Sequence, residues 1–213
     1  MSRVLFPIFG VLIAIMVFTG NQDGFPDGFK KRMLALEFAK DQKAVNDLSN
    51  GKELKASLRR DLEFDSTVAI PIYWIYFVAV GAFLYAHKVS PEKFWLLLVP
   101  LVISIAAVAD QIENLSMLAA FDLKPGAEAI HLAASIKWAG IGLSCALVAV
   151  GFVGRGWRAL PAAILYFGVA AVMAYGLYVC PSKVQIAFGM MGLSVAVTGE
   201  AVDAVRHRMG LPS

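Results

Sequence analysis

Asp110, Glu113 and Asn114 stand at spacings of three and four within a run that is otherwise Leu, Val, Ile and Ala. On a helix those spacings put all three on one face. The next apolar run contains a lone lysine, Lys137, with His131 and Ser135 before it. Asp65 opens the run before them, and Pro71 and Tyr73 follow shortly after. Two carboxylates and an amine sheltered from water would have perturbed proton affinities. Such a set suits acid–base chemistry or a grip on a polar headgroup. The same groups also suit a purely structural ion-paired knot that fixes which helices pack together.

The surroundings decide what these residues have to do. Of 213 residues, 59% are hydrophobic and 16% charged, and the mean hydropathy is +0.68. Soluble domains run about 45–50% apolar and about 25% charged, and a chain of this size has too little interior to hide the surplus. A bilayer removes the difficulty. The sequence therefore predicts an all-α, membrane-spanning, up-and-down bundle of about six helices. The spans run roughly over Val4–Phe18, Thr67–Ala86, Phe94–Met117, Ala129–Val153, Leu160–Val179 and Val184–Val202, judged against the ~20 residues that hydrocarbon requires. Short turn-forming links such as Cys180-Pro181-Ser182 force consecutive spans to run antiparallel.

Three parts are expected: an N-terminal signal anchor over 1–20, an amphipathic extracytoplasmic helical segment over 21–64, and a five-helix transmembrane bundle over 65–213. The anchor reading rests on the absence of an A-x-A-like cleavage site before Asn21. In the middle part Met33, Leu34, Leu36, Phe38, Val45 and Leu48 recur among charges at helical spacing up to Asn50-Gly51, and a second short helix over Leu54 to Leu62 follows. Arg3, Lys88, Lys93, Arg155, Arg158, Arg206 and Arg208 fall on one side of the bundle, against Lys124 and Lys183 in the short loops of the other. Basic residues favour the cytoplasm, so both termini are expected there.

Depth brings the charges together. Counting from Trp95 at a ~1.5 Å rise, Asp110 lies about 22 Å in, roughly 8 Å below the far edge of a ~30 Å core. Counting from Ala129 at the opposite face, Lys137 lies roughly 12 Å below that same edge. The charges thus reach similar levels, and pairing Lys137 with Asp110 or Glu113 is the simplest way to hold them there. Asp65, Tyr73, Asp110, Glu113, Asn114 and Lys137 form the expected binding site, with Trp138 as a further wall.

Several classes are excluded. The net charge of +3 is too small, and the basic residues too scattered, for nucleic acid. His87, His131 and His207 sit at separate helix ends, so no metal is expected. Cys145 and Cys180 make no disulfide framework. Phosphate-cradling loops and the common enzyme signatures are lacking, so no cofactor is expected and no catalytic residue is assigned. Glu200 and Asp203 read as interfacial charges near the last helix end. The expected partners are membrane lipid or a small amphiphile. The small-residue faces Gly168–Gly176 and Gly189–Gly192 leave a homo-oligomer open. Two further readings stay open: an enzyme acting on a lipidic substrate by carboxylate acid–base chemistry, and a transporter or channel subunit.

Four patches together resemble a pattern in uncharacterised bacterial multi-pass inner-membrane proteins. They are Leu34-Ala35-Leu36-Glu37-Phe38-Ala39, Leu62-Glu63-Phe64-Asp65 leading to Ile70-Pro71-Ile72-Tyr73, Ala109-Asp110-Gln111-Ile112-Glu113-Asn114, and Ile136-Lys137-Trp138-Ala139. The resemblance implies a bacterial inner-membrane setting and points to the same Asp, Glu, Asn and Lys. It implies no reaction.

Overall fold

A computed structural model describes residues 29, 31–87, 95–122, 126–153 and 155–208. The expected first span falls outside them. The described chain is all-helical: α1 (Arg32–Glu37), α2 (Gln42–Leu48), α3 (Lys52–Phe64), a π-helical turn (Asp65–Ala69), α4 (Ile70–Ala86), α5 (Leu98–Phe121), α6 (Ala127–Phe152), α7 (Leu160–Tyr178) and α8 (Val184–Arg208). Five helical stretches are long and apolar enough to cross a membrane: Lys52–Ala86, Trp95–Phe121, Ala127–Phe152, Leu160–Tyr178 and Pro181–His207. Consecutive helices pack on one another, α5 against α6 most extensively. The fold is an up-and-down bundle.

Its surface is inverted relative to a water-soluble protein. Leu115 is 64% exposed and Ile164 61%, whereas Lys137 is 4% and Glu113 1% exposed. Apolar side chains on the outside and charges inside are what a hydrocarbon solvent selects.

The amphipathic segment differs from expectation in two places. A single helix over Met33 to Leu48 is broken, because the Asp41 side chain accepts a hydrogen bond from the Ala44 amide at 2.8 Å. An N-cap of that kind starts a new helix instead of continuing the old one. The second short helix does not stop before the membrane part. α3 runs through the π turn into α4, so the 64/65 boundary lies inside one continuous helix. The expected stop at Asn50-Gly51 has a backbone cause, since Gly51 takes φ +111°, a conformation glycine adopts without strain.

Proline accounts for the π turn. Pro71 has no N–H to offer the preceding turn. With Ile70 N–H donating to the Asp65 carbonyl, the Ser66 carbonyl would have to find its donor at position 71, which is the proline. A side chain of α5 fills that gap instead: Gln111 Nε2 donates to the Ser66 carbonyl at 2.9 Å. The widened turn is thereby fixed to the helix that carries Asp110 and Glu113.

α1–α3 cap the α5–α6 hairpin. Leu36, Val45, Leu58 and Leu62 bury against Met117, Phe121, Ala127 and Ile130. Lys55 Nζ donates to the Phe121 carbonyl at 3.0 Å and Arg59 pairs with Asp122. Both cations meet the negative end of α5. The Gln42 side chain accepts from the Gly126 amide at 3.2 Å, where α6 begins.

Close approach of α5 and α6 depends on Gly140. A Cβ there would lie 2.8 Å from the Ala106 Cβ and 3.4 Å from the Val102 carbonyl oxygen, and neither of those atoms can swing aside. Gly140→Ala should therefore push the two helices apart and lower stability by about 1–3 kcal/mol, measured as thermal unfolding in detergent. An unchanged unfolding temperature would refute the tight contact.

Candidate functional site

The site is built round one amine. Lys137 projects from α6 between α5 and α1. Its Nζ lies 2.9 Å from Glu113 Oε1, 2.8 Å from Glu113 Oε2, 3.2 Å from Asp110 Oδ1 and 3.2 Å from Glu37 Oε1. Glu113 and Asp110 reach it together because they lie one turn apart on α5. The amine also sits 4.8 Å above the centre of the Trp138 ring, a further favourable contact for a cation.

A surrounding layer orients the carboxylates. Trp138 Nε1 donates to Glu37 Oε2 at 2.6 Å, and the Tyr73 hydroxyl donates to Asp110 Oδ2 at 3.0 Å. Asn114 Nδ2 donates to Asp65 Oδ2 at 2.8 Å and to Ser66 Oγ at 2.9 Å. The π turn makes this last pair of contacts possible, since it turns Asp65 and Ser66 toward α5. Of the six expected site residues, Tyr73, Asp110, Glu113 and Lys137 are joined in one network, and Asn114 and Asp65 form a second pair beside it.

Sequence reasoning missed Glu37. It belongs to the amphipathic segment, far from the apolar runs that drew attention, yet it is 7% exposed. The signal was its bracketing by Leu34, Ala35, Leu36, Phe38 and Ala39, all buried with it. Burial holds the Glu37 carboxyl above the ordinary carboxylate range. The Lys137 ammonium pulls it back down, and Asp110 adds to the rise.

Charge and hydrogen bonding are not balanced here. Glu37, Asp65, Asp110 and Glu113 face a single ammonium among the described residues. An ammonium has three N–H groups, yet four carboxylate oxygens crowd it. Asp110 Oδ1 and Glu113 Oε2 are buried and accept no hydrogen bond, although both lie in ion-pair contact with Lys137. Among the described residues no group of His, Cys, Asp and Glu side chains could hold a metal ion.

A second polar group lies elsewhere in the bundle. The hydroxyls of Tyr76 on α4 and Tyr166 on α7 meet each other. Thr198 Oγ1 on α8 lies 2.8 Å from the Tyr76 hydroxyl and 2.9 Å from that of Tyr166. Thr198 in turn donates to the Ser194 carbonyl at 2.8 Å. This trio is uncharged and joins three helices.

The charge surplus makes two substitutions unequal. Lys137→Met leaves buried carboxylates facing one another and should cost about 3–5 kcal/mol. Asp110→Asn brings the cluster closer to neutrality and keeps an acceptor for Tyr73, so it should cost well under half as much. Thermal unfolding of both variants in detergent checks this, and equal losses would contradict a surplus of negative charge.

The chain matches no protein-family model, no curated protein and no solved structure, so what the cluster does has to be derived from its own atoms.

Proposed function

We propose that this chain is an integral membrane protein whose carboxylate–lysine cluster receives the polar end of a membrane lipid or small amphiphile. The observation that carries this is the crowding of Glu37, Asp110 and Glu113 round the Lys137 amine, under a helix of only six residues. A rigid structural knot would gain from matching its charges, whereas a receiving site gains from keeping acceptors in excess.

The sign of the surplus selects the guest. Four carboxylates repel a bare phosphate or sulfate and attract an ammonium, which also stacks favourably on aromatic faces such as Trp138. Lys137 currently supplies such an ammonium from within the chain. Because its partners touch it directly, a guest gains access by moving Glu37 and the short α1 that carries it. With the basic loops cytoplasmic, this entrance lies in the outer leaflet of the membrane, level with the headgroups. Glu113 and Asp110 then bind rather than react, with Tyr73 holding the orientation of Asp110.

Lipids retained through purification give the test. Protein extracted from native membranes in mild detergent should keep amine-headed phospholipid several-fold above its share in the bulk membrane, and Asp110→Asn should lose most of that enrichment. A synthetic alkylamine added to delipidated protein separates the two sources. Competition by the alkylamine alone, without phospholipid enrichment, would assign the site to a free amphiphile. A lipid profile equal to the bulk membrane, together with no alkylamine binding, would defeat the proposal.

A further inference from the structure

The unmatched oxygens of the cluster point to a ligand smaller than any amphiphile. Asp110, Glu113 and Lys137 already sum to one negative charge if all are ionised, and Glu37 adds another. An ionised carboxylate enclosed at this depth is costly, and the cheapest escape is to bind a proton. Geometry agrees with charge. Asp110 Oδ1 and Glu113 Oε2 are buried with no polar neighbour recorded beyond the ion-pair contact to Lys137, and the three N–H groups of Lys137 cannot serve all four oxygens that face it. One carboxylic O–H in their midst supplies the missing hydrogen bond.

We propose that Glu37 docks into the cluster carrying a proton on its carboxyl, and that this proton latches α1 onto the bundle. It regulates access to the site proposed above and bears on function through that reading, but the latch itself does not require it. No covalent bond to carbon changes. A proton leaves water, joins a carboxylate oxygen, and returns to water when the latch opens.

Glu37 is the moving member because α1 is short and peripheral, whereas Asp110, Glu113 and Lys137 ride on long packed helices. From α6 it faces Lys137 and Trp138, from α5 Asp110 and Glu113, and beyond these Tyr73 and Asp65 on the helix that continues α3. His131 of α6 lies edge-on to the neighbouring Phe38 ring, 6.1 Å between centres. Lys31, Arg32 and Lys40 belong to its own segment.

The direction of the effect follows from these groups. Protonated Glu37 docks without adding charge, whereas ionised Glu37 deepens the surplus. Burial acts the same way, raising its carboxyl above the ordinary range against the pull of Lys137. For a carboxyl raised in the docked state, the docking contribution is complete below the ordinary carboxylate range. It is lost as pH climbs through the raised value. Acid closes the latch and alkali opens it.

Hydrogen exchange reads this directly, on delipidated full-length protein in detergent with no amphiphile added. Protection of residues 32–37, corrected for the intrinsic pH dependence of exchange, should fall about tenfold for each pH unit that the docked carboxyl is raised, while α5 and α6 stay protected. Glu37→Gln, which cannot titrate, should hold its protection level across the same range. Protection that is flat in the wild type, or equally steep in Glu37→Gln, overturns the latch. Should Glu37→Gln fail to fold, infrared spectroscopy of the wild type decides. The carbonyl band of a protonated carboxylic acid should be present at neutral pH and vanish on alkalinisation, and its absence at neutral pH overturns the proposal. Lipid selectivity is not read in either experiment, so the latch and the binding site can fail separately.

Discussion

An ammonium enclosed by a bundle with an apolar exterior has to be surrounded by acceptors, and Lys137 organises this structure through that requirement. Water is not there to solvate it, and a lone charge in such a setting would cost several kcal/mol. Its acceptors come from separate parts of the chain: Asp110 and Glu113 from α5, Glu37 from α1. Fixing one amine therefore fixes the relation of three elements at once. Each carboxylate then needs its own orientation, which brings in Tyr73 from α4 and the indole of Trp138 on α6. Apolar packing sets how near these helices approach, and the charges set which residues lie opposite one another.

The backbone cooperates with this arrangement in an unusual way. A proline near the start of a long helix would ordinarily mark its first turn, and Pro71 invites a helix beginning close to Ile70. Here the helix has already run from Lys52, and the proline leaves a carbonyl without its donor. The π turn and Gln111 settle that debt between them. The widened turn also brings Asp65 and Ser66 to Asn114. A local backbone defect thus becomes an inter-helix joint beside the ion cluster, a role in which π turns often occur.

Much of this was readable from residues alone, for physical reasons that can be named. Long apolar runs broken by short turn-rich links report an up-and-down bundle, because hydrocarbon length and loop length are both encoded one-dimensionally. The pairing of Lys137 with Asp110 and Glu113 was readable as well, since helical rise converts sequence distance into depth. Three features were not. Glu37 lies in a segment whose position over the bundle depends on tertiary packing of Leu36, Val45, Leu58 and Leu62, and no periodicity reports that. The π turn arises from a mismatch between a proline and a helix that had started earlier. The Tyr76–Tyr166–Thr198 trio joins the second, fifth and sixth of the expected spans, so rotation of each helix about its axis had to be known first.

The two buried polar groups differ in a way that separates structural from responsive chemistry. In the trio of Tyr76, Tyr166 and Thr198 every hydroxyl proton has an acceptor, in a neighbouring hydroxyl or in the Ser194 carbonyl, and no charge is present to be neutralised. Such a network is satisfied as it stands, and it has no capacity to take up a further ion. The Lys137 cluster is the opposite case. It has more acceptor oxygens than hydrogens to offer them and more negative charges than positive. A group with that imbalance favours whatever supplies hydrogen and positive charge, which is the chemistry of the proton and the ammonium proposed above. The surplus lies under the shortest of the described α-helices that cover the bundle. A leucine at position 37 would continue the apolar face of Leu34 and Ala35, but it would leave the Trp138 indole without its acceptor and the Lys137 amine with one acceptor fewer.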